Sequence, residues 1–80
     1  MTHCYTYINA LHQFGHRITP QREMIIETLI HGDDHMIAES IYNQLLVHKR
    51  SINLATVYRT LDLLVKRGLA TRIGDAHARI

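Results

Sequence analysis

Thr56, Tyr58 and Arg59 fall within four consecutive positions of the stretch SINLATVYRTLDLLVKRG, residues 51–68. An arginine offers five N–H donors in a planar fork, a tyrosine a flat ring with a hydroxyl, and a threonine a hydroxyl. Such a set can grip an anion or the edge of a flat, polar partner. It holds no nucleophile beside a base and an orienting acid, so it lacks the minimum for hydrolysis.

The surrounding stretch explains how these side chains would be presented. Asn53 is a strong helix N-cap. Leu54, Val57, Leu61 and Leu64 recur at helical spacing and form one apolar stripe. Gly68 is suited to end the helix, because it adopts the left-handed conformation without a Cβ penalty. At about 100° per residue, Ala55, Arg59, Asp62 and Lys66 project from the opposite face, with Thr56 and Tyr58 on the flanks. A helix seated by such a stripe, with its polar reach in its first two turns, suits insertion into a DNA major groove. Arg59 points away from the core with no acid four positions away. Tyr58 has a plainer alternative, covering the core edge. Asp62 and Lys66 read as a solvent-facing pair, and Leu63 lies off the stripe.

Seven histidines in 80 residues raise the question of metal. They stand at positions 3, 12, 16, 31, 35, 48 and 77, with no His-Glu-x-x-His pattern. One cysteine, Cys4, allows neither an internal disulfide nor a cysteine-rich zinc site. A closed four-ligand zinc site is therefore not expected within these residues. No Gly-rich phosphate cradle is present, and no apolar window approaches the ~20 residues of a membrane span. Without a secretory signal and with a single cysteine, the expected compartment is the cytoplasm.

Length and composition fit one small globular domain: 46% of residues are hydrophobic and 20% charged. The net charge is only +2, but it is unevenly spread. Residues 1–48 carry a net −3 and residues 49–80 a net +5. The positive half contains the amphipathic stretch, as expected where one face meets phosphates. A solvated basic surface would give the same totals.

Taken in order, residues 5–14 form a first helix with Ile8, Leu11 and Phe14 inward, ended by Gly15. Thr19 and Pro20 open a second as N-cap and first residue. It runs to about His31, with Ile25, Ile26, Leu29 and Ile30 buried and Glu23 and Glu27 in water. Gly32-Asp33-Asp34 breaks it. Residues 35–37 are extended in preference and suited to pair as a minor strand. A third helix spans about 38–48 with Ile41, Tyr42, Leu45 and Leu46 inward. Beyond Gly68, residues 69–73 and 76–80 alternate across a Gly-containing turn, which reads as a β-hairpin. The fold class is mainly α with a small β-hairpin, a winged helix-turn-helix. An end on the hairpin's last strand suggests one domain of a longer polypeptide.

Three strings, GHRITPQR (15–22), HMIAESIY (35–42) and INLATVYRTLDLLVKRGL (52–69), resemble the N-terminal DNA-binding domain of the ferric uptake regulator (Fur) family. The third string is the most specific, and the likeness covers essentially the whole chain. The resemblance implies the operator-reading domain of a metal-responsive transcriptional repressor, bound to double-stranded DNA. It assigns base reading to Tyr58 and Arg59. An Arg forked onto guanine is the commonest base-specific contact, and a tyrosine ring can pack on a thymine methyl. It places Arg17 in an A·T-rich minor groove, whose negative potential favours arginine. Arg22, Asn53 and Thr56 match backbone-contacting positions, which set register without reading sequence.

The resemblance also implies a C-terminal dimerisation and metal-sensing domain, which these 80 residues do not include. The expectation is a homodimer with a divalent metal (iron, zinc or manganese) for the full-length protein, and a monomer without a cofactor for this stretch. His35 matches a position that supplies a metal ligand, with partners beyond residue 80. The competing reading is a winged-helix module that binds a protein or RNA without operator specificity, since the fold alone does not fix its use.

Overall fold

A computed structural model of the chain describes residues 3–32, 36–48, 51–73 and 77–79. Four helices and three short strands follow in the order α1 (His3–Gln13), α2 (Pro20–Ile30), β1 (Met36–Ile37), α3 (Ala38–Val47), α4 (Leu54–Lys66), β2 (Thr71–Ile73) and β3 (His77–Arg79).

The helix ends follow local chemistry. Thr19, in extended conformation, accepts the Arg22 N–H at 3.1 Å. Pro20 takes the first turn, where its missing N–H is not needed. Asn53 caps α4 by accepting the Ala55 N–H at 2.8 Å, as a good N-cap does. Gly15 and Gly68 stop α1 and α4 with φ of 89° and 73°, a region favoured by glycine. Around Gly68, the Leu69 N–H reaches the Leu64 carbonyl at 2.8 Å and the Gly68 N–H reaches Val65 at 3.0 Å. Around Gly15, the His16 N–H reaches Leu11 at 3.0 Å and the Gly15 N–H reaches His12 at 2.9 Å. Both helices thus end by the same paired back-bonding, which satisfies carbonyls that a helix terminus leaves open.

The core is drawn from all four helices: Leu11, Ile25, Ile26, Leu29, Ala38, Ile41, Leu45, Val57, Leu61 and Leu64 are buried. The stripe expected on α4 is therefore seated, with Leu54 half-buried at its start. Thr60, unforeseen from the apolar pattern, is also fully buried. Its hydroxyl donates to the Thr56 carbonyl at 2.8 Å, so its polar atom does not lack a partner.

Two side chains expected inward face out. Phe14 is 51% exposed, because it sits past the last turn of α1 and its ring lies under the Arg67 guanidinium. Leu46 is 44% exposed. The inward line of α3 runs through Ala38, Ile41 and Leu45, and the next residue turns about 100° away. Ile8, Ile30, Tyr42 and Leu63 pack on the core edge, partly buried.

The three strands form one sheet in the order β1-β3-β2. β3 pairs antiparallel with both neighbours, Ile37 opposite His77 and Ile73 also opposite His77. The extended segment foreseen before α3 thus joins the C-terminal strands, over Met36 and Ile37. The turn expected between β2 and β3, at 74–76, lies outside the described residues.

Candidate nucleic-acid interface

The exposed face of α4 carries Ala55, Tyr58, Arg59, Asp62 and Lys66, while Thr56 is half-buried at its margin. The buried line through Val57, Leu61 and Leu64 fixes the rotation of the helix, so this polar face is held outward. Arg59 is exposed on that face, as its spacing predicts.

Tyr58, 37% exposed, is tied to a second element. Its hydroxyl donates to Glu39 Oε2 in the first turn of α3, at 2.6 Å. That bond holds the Glu39 carboxyl below its ordinary 4.5 and raises the Tyr58 phenol above its ordinary 10.0. At neutral pH the pair is a protonated phenol against a carboxylate, a charge-assisted bond.

A second strip of positive charge lies alongside. At one end, Arg67, the C-cap of α4, donates from Nε to His16 Nε2 at 3.0 Å and stacks 4.9 Å from the Phe14 ring centroid. At the other end, Gln21 Nε2 reaches the Ser51 carbonyl at 3.5 Å, just before α4 begins. The connector from His16 to the start of α2 therefore runs alongside α4. Arg17 and Arg22 lie within and just after this twice-tied segment. Arg17 is exposed, and Arg22 is half-buried with its guanidinium donating to the Arg17 carbonyl. Desolvation, then the charges of Arg67, Arg22 and Lys66, hold His16 below its ordinary 6.5. It is neutral at pH 7 and accepts from Arg67.

The expected site residues thus fall into two adjoining groups. Thr56, Tyr58 and Arg59 lie on α4, with Asn53 exposed at its cap. Arg17 and Arg22 lie on the connector and the first turn of α2. His35 lies outside the described residues. Among the described residues, no group of three or more His, Cys, Asp or Glu is placed to hold a metal ion. No helix there is long and apolar enough to cross a membrane. Two participants went unseen in the sequence. Glu39 has the signature of an ordinary first-turn acid complementing a helix dipole. His16 has that of a loop histidine, since its partner is 51 positions away.

Comparison with known proteins gives this arrangement its kin. The family model described as "Ferric uptake regulator family" matches residues 13–79. The ferric uptake regulation protein of Bacillus subtilis is 43% identical over 74 residues, covering 86% of this chain and 48% of that protein. The ferric uptake regulator of Pseudomonas aeruginosa, solved with manganese, superposes with a TM-score of 0.79 at 31% identity, covering 90% of this chain and 57% of that one. A structure of the peroxide sensor PerR from Streptococcus pyogenes gives 0.74 at 31% identity, over 94% and 53%. The chain spans about half the length of the curated relatives it matches. With four-fifths of its residues inside one family model and its helices superposing on two solved members, the chain belongs to the ferric uptake regulator family.

Proposed function

We propose that this chain is the operator-reading domain of a metal-responsive transcriptional repressor, with α4 as the helix that enters the DNA major groove. The observation that carries the reading is the division of α4: Val57, Leu61 and Leu64 are buried while Tyr58 and Arg59 stand outward together. In this reading Arg59 forks onto a guanine and the Tyr58 ring packs on a thymine methyl. Arg17, beside α4, reaches the adjoining minor groove. Arg22 holds the Arg17 backbone in place and adds its charge to a phosphate, while Thr56 and the Asn53 amide meet the sugar-phosphate backbone. β2 and β3 serve as the wing.

Dimerisation and response to iron, zinc or manganese belong, in this proposal, to the regulator as a whole, about twice this length in its relatives. His35 is its contribution to the metal. The 80 residues alone act as a monomer with one recognition helix. They would grip a single half-site weakly, because paired half-sites in helix-turn-helix dimers stand about 34–36 Å apart and need two helices.

Selection from a random duplex pool tests the reading. One recurring short sequence should emerge, with affinity falling steeply as salt rises. Recovery of no preferred duplex at any salt would overturn it.

A further inference from the structure

Glu39 stands against the recognition face although a carboxylate there repels DNA phosphates. Its position has to be explained by what it holds. Tyr58 Oη donates to Glu39 Oε2 at 2.6 Å, across 19 residues of sequence and between two different helices. The distance is that of a charge-assisted O–H···O⁻ bond, roughly twice as strong as a neutral one. An exposed tyrosine without such a tether exchanges among rotamers. Bonding the far end of the side chain fixes both of its torsions at once. It also commits the hydroxyl proton to Glu39, so what Tyr58 offers a duplex is the carbon surface of its ring. In the major groove, the base feature that such a surface recognises is the thymine methyl.

We propose that Glu39 is a positioning residue for base reading: it locks the Tyr58 ring so that the ring, not the hydroxyl, selects thymine. This rests on α4 being the groove helix. Glu39 touches no base. It acts through Tyr58, and its own charge makes overall DNA affinity slightly weaker while making base choice sharper.

The test uses the duplex this chain selects from a random pool, with each thymine replaced in turn by deoxyuridine, which lacks only the methyl. In the wild type, one position should lose about fourfold in affinity, the worth of one buried methyl-sized group. Glu39→Ala should abolish that thymine-over-deoxyuridine ratio, leave the guanine preference tied to Arg59 intact, and keep or raise affinity for unrelated duplexes. Glu39→Gln, which keeps an acceptor, should restore most of the ratio. Tyr58→Phe, which keeps the ring and frees it, should match Glu39→Ala, and the double variant should be no worse than either single one. If Glu39→Ala does not fold by circular dichroism, the comparison of Glu39→Gln with Tyr58→Phe decides alone.

A full ratio in Glu39→Ala, or in Tyr58→Phe, would overturn the proposal. So would a uniform loss on all sequences, or a wild type with no methyl-sensitive position. If Arg59→Ala erases guanine preference while the Glu39 variants keep the ratio, only the role of Glu39 falls. If the wild type selects no duplex at all, the assignment of α4 falls with it.

Discussion

Arg67 donates from Nε to His16 Nε2 at 3.0 Å, joining the α4 terminus to the connector that follows α1. The two glycine-ended stops make this meeting possible. Each releases its chain at a defined point, and the side chains just past α1, Phe14 and His16, converge on the α4 cap. Because an imidazolium cannot accept, the bond exists only with His16 neutral.

That requirement gives a pH dependence. His16 is held below 6.5 by desolvation and by Arg67, Arg22 and Lys66, so the unfolded chain takes up the proton first. Stability then rises with pH through this range: the contribution is complete above 6.5 and is lost as pH falls through that value toward the depressed one. Thermal melts between about pH 7.5 and about pH 5.5 should show a larger fall for the wild type than for His16→Gln, which keeps an acceptor that does not titrate. Equal falls would contradict this.

The stop at Gly68 makes a separate prediction. A Cβ there meets nothing within 4 Å, so the strain lies in the backbone, at φ +73°. Gly68→Ala should cost about 1 kcal/mol in urea unfolding, and Gly68→Asn less. No loss in the alanine variant would mean that the α4 terminus relaxes freely.

Two substitutions separate the capping role of Asn53 from its proposed contact with DNA. Its side-chain oxygen caps α4, so Asn53→Ala should cost about 1 kcal/mol of stability. Asn53→Ser keeps the cap but removes the amide. If the amide meets a phosphate, the serine variant should be as stable as wild type yet bind DNA more weakly, with an unchanged salt slope because a neutral amide displaces no counterion. Unchanged binding by Asn53→Ser would restrict the residue to capping.

The ends and faces of the helices were legible because each is written in local chemistry. Thr19-Pro20, Asn53 and Gly68 are cap and stop signals that act within a turn, and the α4 stripe is a periodicity. Phe14 and Leu46 misled for related reasons. Phe14 continues an apolar spacing past the point where Gly15 has ended the helix, and Leu46 lies just off a face whose width periodicity does not define. The links Tyr58–Glu39 and Arg67–His16 could not be read, because each depends on how whole helices pack. The candidate site was thus visible as residues on a face, whereas the contacts that orient them belong to the tertiary structure.

The central claim is that Arg59, carried outward by α4, reads a base, and paired binding titrations of Arg59→Ala and Lys66→Ala against the selected duplex and its single-base variants test it most directly. Arg59→Ala should lose about 1–3 kcal/mol of discrimination at one base pair. Lys66→Ala should weaken all sequences alike and lower the salt slope by about one. An Arg59→Ala variant that keeps the full wild-type sequence preference would contradict the account.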